Sequence, residues 1–104
     1  MTSIAIEIVR YVDDHFPGYV ECLLTDARGD AHRFIEKVPV VTVANLTANS
    51  SYPQLGSLDC IIEDEWTDGT GSKLVRANTE KPSGIESTTG KSAFVVLADQ
   101  VIFK

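Results

Sequence analysis

The chain has 104 residues, two cysteines and a formal charge of −6, a length that suits one domain with one core. With 43% hydrophobic and 23% charged residues, the composition excludes a disordered chain. No apolar run approaches the ~20 residues that span a bilayer, and Cys22 and Cys60 are too few for a disulfide framework or a four-thiolate zinc site. The start of the chain lacks the basic flank and long apolar stretch of a secretory leader, so a cytoplasmic location is expected.

Period-two alternation dominates, and no window of a dozen residues keeps an apolar face at helical spacing. Ile4, Ile6 and Ile8 alternate with Ala5, Glu7 and Val9, which predicts a first strand to about Val12 with isoleucine on its inner face. Asp13-Asp14-His15-Phe16-Pro17-Gly18 breaks it. A second strand is expected over Tyr19–Thr25 with Val20, Cys22 and Leu24 inward, and Asp26-Ala27-Arg28-Gly29 is a hairpin turn. The return strand at His32–Lys37 is expected to extend through Val38–Val41, with Pro39 marking an end, an edge or a bulge.

The first long connection, Thr42–Gly56, is expected to hold one short helical turn capped by Thr42. Leu58–Trp66 reads as a fourth strand with Leu58, Cys60 and Ile62 inward and Asp59, Glu63 and Glu65 outward. Asp68-Gly69-Thr70-Gly71 turns the chain into a fifth strand at Lys73–Thr79. A second long connection leads to closing strands at Ala93–Ala98 and Gln100–Phe103, broken near Asp99.

The expected fold is therefore all-β, a six- to seven-stranded antiparallel barrel occupying residues 1–104 as one domain, with a β-sandwich as the alternative. Two stretches, 18–39 and 56–82, share a plan of strand, Asp/Gly turn, return strand and Pro. This fits a duplication or two hairpins obeying the same rules.

Charge is unevenly spread. Val38–Ser72 has no Lys or Arg, although an even spread of the nine bases would put about three there, and it carries Asp59, Glu63, Asp64, Glu65 and Asp68. Nucleic acid, whose phosphates need clustered cations, is a poor expected partner. A basic protein is a better one. Asp59, Glu63, Glu65 and Asp68, with Trp66 as an aromatic anchor and Tyr52 from the uncharged loop, form the candidate partner-binding set.

Catalytic chemistry finds little support. The two histidines stand apart, with Asp13-Asp14-His15 as adjacent turn residues that rarely converge on one ion, so no metal is expected. Thr70 between Gly69 and Gly71 is a hairpin tip and not a nucleophile elbow, and no phosphate-cradling loop leads into a helix. Two cysteines flanked by aliphatics read as buried thiols. No cofactor is implied.

These features favour a small, acidic, non-enzymatic protein-binding domain, most concretely an inhibitor or immunity-type protein masking a basic partner such as a toxin nuclease. The alternatives are an accessory or oligomerising β-barrel module that works as a homo-oligomer, and a small-ligand-binding barrel. No membrane partner is expected.

Overall fold

A computed structural model of the chain describes residues 2–103. Its strands are β1 (Thr2–Asp13), β2 (Tyr19–Thr25), β3 (Ala31–Lys37), β4 (Gln54–Asp59), β5 (Ile61–Thr67), β6 (Lys73–Asn78), β7 (Ala93–Leu97) and β8 (Val101–Phe103), with a one-turn helix α1 (Val38–Val41) after β3. They form two antiparallel sheets: β3-β2-β1-β4, with β8 also paired to β1, and β5-β6-β7. No helix among the described residues is long and apolar enough to cross a membrane.

The alternation places the core as expected. Ile4, Ile6 and Ile8 of β1, and Val20, Cys22 and Leu24 of β2, are all buried. The facing sheet contributes Val75, Ala77, Phe94 and Val96 to the same cluster. Phe34 of β3 meets Phe94 of β7 across the sheets, ring centroids 5.7 Å apart and tilted by 59°, an arrangement that suits the aromatic quadrupoles. Each large side chain buried this way stabilises the fold by roughly 1.5–3 kcal/mol.

Two connections change sheet. β4 and β5 are separated by Cys60 alone, whose amide donates to the Thr2 carbonyl at 3.0 Å before the chain leaves β1 for β6. β7 passes into β8 through Ala98–Gln100, a single 3-10 turn. Gln100 holds this corner: its Oε1 accepts from the Leu97 amide and its Nε2 donates to the Thr25 carbonyl, both at 2.8 Å. The fourth strand expected over Leu58–Trp66 is therefore two strands in two sheets. The two similar hairpin units are not placed alike, because β2 stays within one sheet while the stretch after Gly56 is split at Cys60.

Three five-residue turns share one construction. In Asp26–Asp30, Asp68–Ser72 and Ser87–Lys91 the first amide donates to the last carbonyl, and the fourth residue, a glycine, donates to the first carbonyl. Gly29, Gly71 and Gly90 adopt φ of +88°, +86° and +81°, the left-handed region that other residues enter at a cost. The leading Asp or Ser side chain accepts from the turn's own amides, as Asx and Ser turns do.

Two local expectations are corrected. Val38–Val41 is helical rather than an extension of β3, with Pro39 in the first turn, where its missing N–H costs nothing. Thr42 ends that helix, donating its amide to the Val38 carbonyl, and does not begin one.

Candidate functional site

β5 pairs with β6 alone among the described residues, which leaves its other edge without a ladder. Beside it lies an open cleft of about 550 Å³ lined by Thr2, Cys60, Ile61, Ile62, Glu65, Pro82 and Phe103. Phe103 is 74% exposed and Ile61 40%, so the cleft has apolar walls with one carboxylate among them.

A register shift between Ile62 and Asp64 decides which way the acids point. Before it, Ile62 stands opposite buried Ala77; after it, Asp64 stands opposite Arg76, Glu65 opposite Val75 and Trp66 opposite Leu74. Such a bulge spends an extra residue against its partner strand and reverses the alternation beyond it. The single face carrying Glu63 and Glu65 together, expected from unbroken alternation, is therefore split. Glu63 Oε2 accepts from Asn78 Nδ2 at 3.2 Å, Asp64 Oδ1 accepts from the Glu65 amide at 2.8 Å, and Glu65 faces the cleft.

None of Asp59, Glu63, Asp64 or Glu65 makes an ion pair within 4.0 Å among the described residues; the pairs that form there are Arg10–Glu21, Arg33–Glu21 and His32–Asp26. Arg76 is the nearest basic neighbour in the ladder, yet its side chain lines a different cavity and does not close on Asp64. No cation is therefore paired with the acidic edge among the described residues.

Trp66 is 38% exposed on the same face as Leu74 and Leu97, outside the core, so it offers aromatic surface at the end of the acidic edge. Asp59 is half-buried on β4 opposite Ser3. Two members of the expected set are occupied by the fold itself. Asp68 Oδ1 accepts from the Thr70 hydroxyl at 2.7 Å, the Thr70 amide at 2.9 Å and the Ser72 amide at 3.0 Å, and these bonds hold its carboxyl below the usual range. Tyr52 packs against the core and donates its hydroxyl to the Thr47 carbonyl at 2.7 Å.

Sequence reading missed a second constellation. Asp26 and His32, from the start and the far side of the β2–β3 turn, meet at 2.8 Å between Oδ2 and Nε2. Burial opposes ionisation of Asp26, but the hydrogen bond from His32 and the amides of Asp30 and Arg28 outweigh it and hold the carboxyl low. The pair lines a cavity of about 320 Å³ with Arg28, Asp30, Arg76, Lys91 and Phe94. The alternating polar run Asp26-x-Arg28-x-Asp30-x-His32 was visible, but nothing local showed that Arg76 and Lys91 join it.

Burial, aided by Glu36 and Glu21, pushes the Cys22 thiol up to about 12, and burial with Asp59 pushes Cys60 up to about 11. Both stay protonated at neutral pH and are poor nucleophiles. Among the described residues no group of three or more His, Cys, Asp and Glu side chains is placed to hold a metal ion. Comparison with protein-family models, with curated proteins and with solved structures found no match.

Proposed function

We propose that the protein is a non-enzymatic binding domain that captures a basic protein along β5, by pairing with its open edge and with the carboxylates beside it. The observation that carries this reading is the combination on one strand of an unladdered edge and three exposed, unneutralised acids, Glu63, Asp64 and Glu65. An edge strand offers main-chain hydrogen bonds to an extended segment, flanking pockets select its side chains, and negative charge speeds its arrival. The cleft of Ile61, Ile62 and Phe103 suits alternate apolar side chains of such a segment, and Glu65 suits a lysine or arginine between them. Masking the cationic surface of a toxin nuclease is the most concrete version.

Self-association through the same edge is the weaker reading. Two copies pairing β5 with β5 would set base-free carboxylate runs against each other, and like charges across a ladder are destabilising. For the overall architecture we favour an open barrel, because chain continuity joins the two sheets into a circuit: β4, paired to β1, runs through Cys60 into β5, and β7 runs through Ala98–Gln100 into β8, which pairs back to β1.

The test is titration with an extended peptide of alternating Lys and Val, followed through the backbone amide resonances. Shifts concentrated in residues 61–67 and 103 that fade between ~50 and ~500 mM salt are expected. Shifts scattered over the surface, or unchanged by salt, would reject the assignment.

A further inference from the structure

The cavity between the β2–β3 turn and β7 carries positive charge on a negative protein, and we propose that it binds a small phosphate monoester. The turn is docked there by the Ala27 amide, which donates to the Val95 carbonyl at 2.8 Å. This brings Arg28 of the turn, Arg76 of β6 and Lys91 of the loop before β7 to the lining of one cavity. Lys91 Nζ stands 5.4 Å from the Phe94 ring centroid. No carboxylate lies within 4.0 Å of any of the three cations among the described residues.

The cavity's own acids do not balance these cations: Asp26, hydrogen-bonded to His32 and to the amides of Arg28 and Asp30, and Asp30 supply two carboxylates against the three cations Arg28, Arg76 and Lys91. Unpaired cations converging on a recess focus field there, and a guanidinium fork matches the oxygens of a phosphate bidentately. Two guanidinium forks and an ammonium offer more donors than the two oxygens of a carboxylate can accept from, and the three terminal oxygens of a phosphate monoester use them more fully. The volume of about 320 Å³ lies at the small end of ligand sites, and Ala93 and Val95 give an apolar wall for an organic group beyond the phosphate.

Phenyl phosphate, benzoate and inorganic phosphate are the probes, followed by amide resonances at constant ionic strength. Phenyl phosphate is expected to shift residues 26–32 and 91–95 and to bind at least about tenfold more tightly than benzoate. Arg76→Gln and Lys91→Gln are each expected to weaken it about tenfold, the loss of one charge-assisted hydrogen bond. All three cations are exposed, so these variants keep the native spectrum elsewhere. Shifts no larger than chloride produces, or an affinity unchanged in Arg76→Gln and Lys91→Gln alike, would overturn the proposal. Binding of inorganic phosphate as tight as that of phenyl phosphate would remove the organic group from it. Capture of the Lys/Val peptide on β5 is independent of this site, and Arg76→Gln retains it.

Discussion

Asp64 and Arg76 face each other across the β5–β6 ladder, yet they form no ion pair within 4.0 Å. The carboxylate is held by the next amide in its own bulge, and the guanidinium lines the cavity that Asp26 and His32 help to form. One side chain turning away thus leaves two surfaces of opposite sign, an acidic edge and a basic recess.

Replacing Glu63, Asp64 and Glu65 together by Ser tests the acidic edge without touching the core. All three are exposed, and surface changes usually alter stability by under ~0.5 kcal/mol each. Urea unfolding is expected to stay near wild type while the Lys/Val peptide loses its salt-sensitive binding. Retained binding by the folded triple variant would show that charge on β5 plays no part.

Asp68 belongs to stability instead. Its folded pKa lies below the ordinary 3.8, as does that of Asp26, so each ion stabilises the native state above the unfolded value and the contribution is lost as pH falls through the folded value. Asp68→Asn removes that titration while keeping an acceptor. The stability gap between wild type and variant is expected to be widest near pH 7 and to shrink towards pH 3 in urea unfolding curves. A gap independent of pH would mean that ionisation of Asp68 contributes nothing.

The turn glycines and Gly56 should fail for different reasons. Nothing lies within 4 Å of a Cβ added at Gly29, Gly71 or Gly90, so alanine there meets only the backbone cost of positive φ, about 1–2 kcal/mol. Asparagine, which tolerates that region, should cost less. At Gly56 a Cβ would meet Ile8 Cδ1 at 2.8 Å and the Val41 carbonyl at 2.9 Å, so alanine overpacks β4 against β1 and α1 by about 1–3 kcal/mol, and asparagine is worse. Unfolding midpoints of the Ala and Asn pairs distinguish the two mechanisms; asparagine rescue at Gly56 would contradict the steric one.

Ser3 is fully buried on β1, and its hydroxyl has no partner among the described residues. A buried hydroxyl without a partner is a cost, so Ser3→Ala is expected to leave stability unchanged or raise it by up to about 1 kcal/mol. A clear loss would show that the hydroxyl has found a partner.

Cys22 and Cys60 offer a readout of the core. With thiols raised to about 12 and about 11, less than about one molecule in a thousand carries a thiolate at pH 8. Labelling by a thiol reagent is expected to follow urea unfolding. Prompt labelling of native protein would mean that the inward face of β2 or of the β4–β5 corner is open to water.

What the residues dictated on their own were the features carried by near neighbours in the chain. The alternation of Ile4, Ile6 and Ile8, the inward row Val20, Cys22 and Leu24, and the glycine in each Asp/Gly turn follow from the two-residue repeat of a strand and from the φ that glycine alone adopts freely. The β2 boundaries were legible for that reason. Where the chain changes sheet, where alternation slips and which charges meet are set by pairing between distant segments. Cys60 has the look of any inward strand residue until Thr2 takes its amide, and Glu63 that of any outward one until Ala77 and Arg76 fix the register around it. Arg28, Arg76 and Lys91 are far apart in the chain, and packing of the β2–β3 turn against β7 brings them to one cavity. Local sterics act over a few residues; the field at a point in space sums charges from every element that packs around it.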